Sequence, residues 1–486
     1  MVASIVGCFR ATTGVCPLRQ LMFAALLVSV VPAFGGSPGA VAYRGATLID
    51  GTGRPAVENA TLLVQGARFV AVGADLALPD DVEIVDAAGK WIVPGLIDAH
   101  LHFMVSGRIY TRPSFIDLQH LVPYDEEVAW IKRRIPVTLR SLLCSGVTSA
   151  LSMGGPSVEY DARALARTMP DAPTVFVGHG PITQLPEFLA GMVFPPFDGE
   201  LSIKSARDEA AGRALVQEAA AMEAEFIKTV YDASGSLMRR LVQWGYEDVT
   251  GAIVAEASRH KLKVTSHSHE LEPARTLLQA GIDSLQHLPV DAEVDEAFIA
   301  LARERDAIVV PTLILRKRTF VDTFTQQFDF LPVEETCGDP DVIKSWFEVA
   351  ELPVLGSDRI RTVIEQTPMA YRNTKALYEG GVALAVGTDA GNSGMLHGPS
   401  MHLELIEMRK AGIPEGDLIV MATLNAARVA GMEALYGSVE AGKFADFLIL
   451  SANPLTDIAN LQRIDVVVKH GRAFAQHELV PALTVR

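Results

Sequence analysis

The chain has 486 residues, of which 49% are hydrophobic and 21% are charged, a composition typical of a globular protein with a large buried core. Its formal net charge is -16 at pH 7, and no cluster of basic residues interrupts this acidic balance. A phosphate backbone would be repelled by such a surface, so the composition excludes nucleic acid as a partner.

The amino-terminal stretch, residues 1–42, has the features of a secretory leader. It contains arginines but no acidic residue, and its apolar run at residues 21–31 is too short to span a membrane. Residues 40–42 read Ala-Val-Ala, an A-x-A pattern that predicts cleavage before Tyr43. We therefore expect a secreted or periplasmic protein with no stable membrane span after processing. The alternative is a short amphipathic or disordered leader.

The cysteines are too few to form a disulfide framework. Cys8 and Cys16 fall in the predicted leader, which leaves Cys144 and Cys337 in the mature chain. Two thiols allow one disulfide but not the dense cross-linking of a small secreted domain, and the sequence leaves open whether they pair.

Both ends of the remaining chain consist of short strand-like runs separated by glycine turns. Examples are TLLVQGARFVAVG near the start and ADFLILSANP near the end. We expect residues 43–95 and 432–486 to form one small composite β-sandwich domain. Residues 96–431 would then be inserted between its two halves as a larger domain.

The inserted domain repeats an apolar β-like run followed by a helical stretch rich in Ala, Leu and Glu. This alternation predicts parallel βα units, and eight of them predict a closed (β/α)8 TIM barrel, in which functional residues lie at the carboxyl ends of the strands. The connections at residues 110–140 and 315–371 are longer than an ordinary βα loop, so we expect them to cover the site. The predicted strands are residues 97–102, 146–151, 174–178, 226–231, 262–267, 284–287, 307–311 and 383–388.

The first predicted barrel strand, in the stretch VPGLIDAHLHF, ends in His100 and His102. Side chains alternate faces along a strand, so the two imidazoles point the same way and can act as a two-nitrogen metal clamp. An apolar strand tolerates two imidazoles poorly without partners, which favours the clamp over an ordinary polar pair at a sheet edge.

Lys228 interrupts the apolar run of the fourth strand, in EFIKTVY. Burial lowers the pKa of a lysine by as much as about 3–5 units, and the neutral amine is a nucleophile. Such an amine can capture carbon dioxide as a carbamate, which is anionic and able to bridge two metal ions. The alternative is a lysine that extends to the rim and reaches solvent.

The remaining candidates end three further strands. His267 ends the fifth strand in VTSHSHE, His287 ends the sixth in SLQH, and Asp389 follows the eighth in AVGTDAG. Each of them alone could be structural. Together with the earlier three they converge on one rim of the barrel, and imidazole and carboxylate groups suit Zn²⁺ and related divalent ions.

The segments VPGLIDAHLHF, EFIKTVYD, VTSHSHE, DSLQHL and AVGTDAG resemble the amidohydrolase superfamily, in its imidazolonepropionase-like and Xaa-Pro dipeptidase-type branch. The resemblance implies a (β/α)8 barrel with a composite β-sandwich and a binuclear metal site. It places one ion between His100, His102, Asp389 and a carboxylated Lys228. The second ion would be held by that same lysine with His267 and His287. Barrel enzymes of this kind often form homo-oligomers.

The expected reaction is hydrolysis of a linear amide in a dipeptide, an N-acyl amino acid or a related small molecule. Water held between the ions would become hydroxide near neutral pH and attack the carbonyl, while Asp389 accepts the proton and delivers it to the departing amine. In dipeptidase-type relatives a tyrosine near Tyr231 is associated with the substrate carboxylate. His269 and His179 are expected to face the mouth as substrate contacts, and His397 to order the loop after the eighth strand.

Three other functions compete with this hypothesis. His267 and Glu270 form H-x-x-E, which in the mononuclear branch serves a cyclic-amide hydrolase or a ring deaminase; Lys228 favours the binuclear hydrolase instead. Superfamily members that act as assembly proteins have lost ligands that this chain retains. A secreted solute-binding module would have two hinged lobes rather than eight βα units.

Overall fold

A closed barrel of parallel strands forms the centre of the structure, which is a computed structural model describing residues 39–112, 117–193, 195–231, 246–349, 352 and 357–481. Most of the predicted leader, residues 1–38, lies outside these ranges, as do Cys8 and Cys16. Among the described helices, none is both long and apolar enough to cross a bilayer.

Eight strands, all parallel to their neighbours, follow one another around the barrel in chain order. Hydrogen bonds from Ala99 N to Val386 O (3.0 Å) and from Asp389 N to His100 O (2.7 Å) join the last strand to the first. The (β/α)8 prediction is therefore confirmed. The barrel strands are β6 (Leu96–Leu101), β7 (Val147–Ser152), β8 (Thr174–Thr183), β10 (Phe226–Val230), β11 (Lys263–His267), β12 (Ser284–Gln286), β13 (Ile308–Val310) and β14 (Ala383–Leu384), with β9 (Lys204–Ser205) pairing only with β8.

Alternation along each strand decides which side chains face the barrel interior. Phe226 on β10 packs with Phe176 of β8 and Val310 of β13 in an apolar cluster inside the barrel. Ile227, the next residue, packs instead in the cluster that the strands share with the surrounding helices. Lys228 has the same parity as Phe226, so it extends the interior row toward the carboxyl end of β10.

The helices that cover the barrel bury the outer face of the parallel strands, as such sheets require. They are α1 (Tyr124–Cys144), α2 (Val158–Ala166), α3 (Glu187–Val193), α4 (Glu209–Ala221), α5 (Tyr246–Arg259), α6 (Leu271–Ala280), α7 (Glu296–Glu304), α8 (Leu313–Lys317), α9 (Pro332–Cys337), α10 (Pro340–Ser345), α11 (Ser357–Glu379), α12 (Ser400–Lys410), α13 (Glu415–Met421) and α14 (Leu424–Val429). A π-helical turn at Arg318–Asp322 and a short turn at Thr323–Thr325 continue α8.

The two ends of the chain share one mixed sheet with its own core, in which Tyr43 and Phe447 meet edge to face at 4.9 Å. The strands of this sheet are β1 (Val41–Leu48), β2 (Val57–Gln65), β3 (Arg68–Gly73), β4 (Glu83–Asp86), β5 (Trp91–Pro94), β15 (Phe447–Leu450), β16 (Ile464–Lys469) and β17 (Arg472–Ala475). Strand β1 pairs in parallel with β4 at its start and with β5 at its end, while β5 and β15 join the two chain halves. Val41 and Ala42 belong to β1, so cleavage before Tyr43 would shorten that strand.

The two long connections pack on each other above the barrel. Ile109, directly before the first, packs in one apolar cluster with Phe324 of the second, and Trp346 Nε1 donates a hydrogen bond to Gly107 O at 2.7 Å. A disulfide between Cys144 and Cys337 ties the end of α1 to α9, which answers the question that the sequence left open. The second connection is therefore fixed to the barrel rather than loosely attached.

Candidate active site

Side chains from the ends of the barrel strands meet in two groups. We call these two groups and Lys228 the candidate metal cluster. Within each group the ligand atoms lie within 4.8 Å of one another. The groups are His100, His102 and Asp389, and His267, His269 and His287.

The carboxylate of Asp389 lies between the two groups. Its Oδ1 is 3.4 Å from His100 Nε2 and 3.7 Å from His102 Nε2, and its Oδ2 is 4.0 Å from His287 Nε2. The rings of His100 and His287 are 4.9 Å apart, and those of His267 and His287 are 4.5 Å apart. The structure thus brings together, from four strand ends, the imidazoles and the carboxylate that the sequence predicted at one rim.

The backbone is strained where these side chains enter the site. His287, Thr312 and Asp389 have φ of 67°, 52° and 60°, in the left-handed region that residues with a side chain seldom adopt. Each such residue costs on the order of 1–3 kcal/mol and persists only where its surroundings enforce it. At Asp389 that surrounding is β6, because Thr388 N and Asp389 N both donate to His100 O.

Three of the histidines use Nδ1 for a contact outside the cluster and direct Nε2 toward Asp389. This is the arrangement that orients histidine ligands of a metal ion. Burial is the first cause that lowers the pKa of these three rings, so they are neutral, as metal ligation requires. The outer contacts join His100 to Gln286 Oε1 (2.8 Å), His102 to Gly154 O (3.1 Å) and His287 to Thr312 Oγ1 (2.6 Å).

Lys228 is 2% exposed, and its Nζ has no hydrogen-bond partner among the described residues. Burial lowers its pKa to about 7, against the opposing effect of the Asp389 carboxylate. Its charge also contributes to the lowered pKa of His100, His102 and His287, so the amine faces the cluster. A buried amine without a partner is costly. Together with neutral imidazoles and a carboxylate, it fits a site completed by divalent metal ions.

Asp98 and Thr388 hold the first and last strands together beneath the cluster. Thr388 donates to Asp98 through Oγ1 (2.7 Å) and N (3.1 Å), and His100 N donates to the same carboxylate at 3.1 Å. Because these bonds fix the backbone of His100 and of the residue before Asp389, they position two candidate ligands. The sequence shows Asp98 as an acidic residue inside an apolar strand, but no sequence pattern identifies Thr388 as its partner.

His269 lies beside the second group. The sequence predicted it at the mouth as a substrate contact, and its partly exposed ring is 4.7 Å from that of His267 and 4.6 Å from that of His287. It therefore offers a third imidazole to the second group.

The predicted orientation of His179 toward the mouth is wrong. Its Nδ1 contacts Tyr160 Oη of α2 at 2.8 Å, and its Nε2 is 3.6 Å from Glu218 Oε1 of α4. Strand β8 continues to Thr183, and its register pairs His179 with Ile227, a residue of the outer face. His179 therefore contributes to packing of the helical layer rather than to the site.

Tyr231 and His397 remain close to the cluster. Tyr231 is buried directly after β10, and its N donates to His267 O at 3.1 Å, while the next residues, 232–245, lie outside the described part of the chain. His397 Nε2 contacts His102 O at 2.8 Å, and its ring stacks on Phe103. This contact joins the loop after the last strand to the loop after the first, as expected of a residue that orders it.

Comparison with known proteins agrees with this geometry. The model of the amidohydrolase family matches residues 91–474. The chain is 27% identical over 467 residues to an ochratoxinase from Aspergillus niger, covering 89% of this chain and 86% of the relative. It is 25% identical over 445 residues to an imidazolonepropionase from Pseudomonas syringae pathovar tomato, covering 85% of this chain and 94% of the relative.

Solved structures show the same fold. A Xaa-Pro dipeptidase with methionine bound in its active site superposes with a TM-score of 0.67 at 21% identity, covering 90% of this chain and 100% of that one. The structure of the Aspergillus niger ochratoxinase also gives a TM-score of 0.67, at 22% identity, and covers 90% of this chain and 96% of that one.

Proposed function

The chain belongs to the amidohydrolase family and is a metal-dependent hydrolase of carbon–nitrogen bonds, and from this premise we propose that it cleaves a linear amide. The proposed substrates are dipeptides, N-acyl amino acids or related small amides. The observation that carries the proposal is the buried amine of Lys228, which has no hydrogen-bond partner among the described residues and faces Asp389 and three imidazoles.

Two divalent ions, with Zn²⁺ as the first candidate, would be held by residues of the cluster. His100, His102 and Asp389 would bind one ion, and His267 and His287 the other. Such ions, when bound, polarise a carbonyl and lower the pKa of water from about 15.7 to about 7. Zn²⁺ suits the set because imidazole nitrogen and carboxylate oxygen are its usual ligands in proteins.

Lys228 would join the two halves of the site as a carbamate. The neutral amine attacks carbon dioxide, a bond forms between Nζ and carbon, and one proton passes to solvent. The product is an anion with two oxygens where the unmodified side chain offers one nitrogen. The lowered pKa of Lys228 supports this step because it leaves a substantial fraction of the amine neutral near pH 7.

Asp389 is the proposed proton carrier. Its carboxylate lies within 4.0 Å of three imidazole Nε2 atoms, so it is next to residues of both proposed ion sites. It would take a proton from the attacking water and give it to the departing amine, as general acid–base catalysis requires. The dipeptidase neighbour, which holds methionine, supports an amino acid as one product.

The alternative is hydrolysis of a cyclic amide, or deamination of a ring, at a single ion with Glu270 as proton carrier. The similarity to an imidazolonepropionase favours it, and Glu270 directly precedes α6, three residues after His267. Lys228 weighs against it, because a site with one ion has no use for a buried bridging group.

A substrate panel with metal analysis tests the proposal. Zinc-reconstituted protein supplied with bicarbonate should hydrolyse dipeptides or N-acyl amino acids faster than cyclic amides, and should contain close to two ions per chain. Lys228→Ala should lose activity by on the order of 100-fold or more and bind fewer ions. Lys263→Ala, an exposed lysine on the neighbouring strand, is the matched control and should behave like wild type. Full activity of Lys228→Ala with one ion would favour the alternative.

Export of the protein is a separate proposal. The leader supports it, and the disulfide between Cys144 and Cys337 suits an oxidising compartment. Since Val41 and Ala42 belong to β1, we expect the mature chain to keep them. Amino-terminal sequencing of the exported protein tests both points, and recovery of only the full-length chain from the cytoplasm would contradict them.

A further inference from the structure

Arg316 is a buried cation at the rim of the site that has no acidic partner among the described residues. Its side chain is on α8, and the residue is 8% exposed. Its only hydrogen bond within the described chain runs from Nη1 to the backbone oxygen of Val363, at a long 3.3 Å. Burial lowers its pKa to about 10, so the guanidinium remains charged at neutral pH.

The neighbouring cations show that this situation is unusual. Lys317 Nζ lies 2.5 Å from Asp322 Oδ2, and Arg318, which is 0% exposed, binds Glu334 at 2.6 Å. A buried charge without an opposite charge is expensive in any protein. The missing carboxylate partner is all the more notable because the chain has 58 acidic and only 42 basic residues.

The position of Arg316 connects it to the candidate metal cluster. Helix α8 begins directly after Thr312, whose Oγ1 contacts Nδ1 of His287 at 2.6 Å. Helix α8 starts three residues after β13 ends, at the carboxyl ends of the barrel strands, and Arg316 is its fourth residue, about 4.5 Å along the helix from Leu313. Arg316 is therefore within one helical turn of the rim on which the cluster lies.

Helix α8 is held firmly enough to keep the guanidinium in place. Glu404 of α12 accepts hydrogen bonds from Leu313 N (2.9 Å) and Ile314 N (2.6 Å), the first two residues of α8. Glu404 is 0% exposed, so these bonds are shielded from water. A cation on such a support is held in place before a ligand binds.

We propose that Arg316 binds the carboxylate of the substrate, and that the enzyme is thereby specific for amides whose leaving amine is an amino acid. This rests on the proposed function and narrows it. Arginine suits the task because its planar guanidinium can donate two parallel hydrogen bonds to a carboxylate. Dipeptides and N-acyl amino acids carry that group next to the scissile amide, and neutral aryl amides do not.

Two substrates that differ only in the carboxylate test the proposal. N-acetyl-L-methionine and N-acetyl-3-(methylsulfanyl)propylamine have the same acyl group and side chain. In Arg316→Met, kcat/KM for the first should fall about 10- to 100-fold, mainly through KM, because charge-assisted hydrogen bonds are lost. The second substrate should be cleaved as by wild type. Arg316→Lys should recover part of the loss, and Arg303→Met, at an exposed arginine on α7, should change neither value.

A binding measurement separates this inference from the proposed function. Titration of the zinc-loaded proteins with L-methionine should show weaker binding to Arg316→Met than to wild type, whether or not the wild type hydrolyses linear amides. Equal affinity for methionine, or an equal loss with both substrates, would overturn the role of Arg316. If methionine binding depends on Arg316 but only cyclic amides are cleaved, the proposed function fails and the carboxylate site stands. Circular dichroism of each variant confirms that it is folded.

Discussion

Two lysines of this protein are buried almost equally, one at the rim of the barrel and one in the composite sheet. Lys469, on β16, lies with its Nζ 2.5 Å from Asp446 Oδ2 and 2.7 Å from Thr174 Oγ1. Lys228, on β10, has no such partner among the described residues. Both amines lose hydration on folding, but only Lys469 recovers it through protein contacts. The comparison shows that burial alone does not mark a functional lysine, whereas burial without a partner does.

The largest expected effect comes from Lys228→Met, which replaces the amine by an apolar side chain of similar length. Activity should fall by on the order of 100-fold or more, and metal content should drop, because the group that we propose to join the two halves of the site is gone. In the presence of a chelator the variant should be at least as stable as wild type, since an unpaired buried amine has been removed. Urea unfolding followed by circular dichroism measures this. A large loss of stability in the metal-free protein would show that Lys228 has a structural partner.

Lys469→Met makes the opposite change in the other region. It leaves the Asp446 carboxylate buried without its cation, which costs about 3–5 kcal/mol in the free energy of unfolding. The same urea experiment should show this loss, while the zinc content of the folded protein stays at the wild-type value. If the two lysine variants lose equal stability, the distinction between a paired and an unpaired amine has no energetic basis here.

Much of the site could be predicted from the sequence, because the alternation of side chains along a strand and the positions of the strand ends decide which side chains meet in a parallel barrel. His100, His102 and Lys228 were placed correctly by that argument alone. His179 was not, because β8 runs on to Thr183 and residue 179 is an outward position within it.

The contacts that orient the ligands could not be predicted for a different reason. Gln286, Thr312 and Thr388 act on side chains of other strands, and the choice of partner depends on rotamers rather than on any periodicity. Arg316 and Val363 likewise meet across 47 residues of a long connection. A sequence pattern states which elements form and which way they face, but not which polar atoms lie at hydrogen-bond distance.

Gln286→Leu tests the contact that orients His100. Gln286 Oε1 binds His100 Nδ1, and its Nε2 donates to Thr265 Oγ1 at 2.9 Å. Loss of such an outer contact lowers metal affinity by about 10- to 100-fold. Competition with a chromophoric chelator measures the change in zinc affinity. Thr265→Val, which leaves the His100 contact intact, is the control and should have a smaller effect. Unchanged affinity in Gln286→Leu would mean that packing alone holds the ring.

The smallest expected effect concerns a buried carboxylate whose partners are backbone amides rather than cations. Burial raises the pKa of Glu404 to about 8, although Leu313 N and Ile314 N donate to it. A carboxyl group in the unfolded chain titrates near 4.5. Between these values the folded protein holds a proton that the unfolded chain has released, so this group makes the protein less stable as the pH rises through that interval.

Glu404→Gln removes this contribution, since the amide does not titrate. The free energy of unfolding, measured at several pH values from about 5 to 8, should therefore fall less steeply in Glu404→Gln than in wild type, by at most about 1.4 kcal/mol per pH unit. The comparison of slopes cancels the titration of the other carboxylates, because they are present in both proteins. Parallel curves would show that the amides of α8 stabilise the charged form of Glu404 enough to offset its burial without a cation.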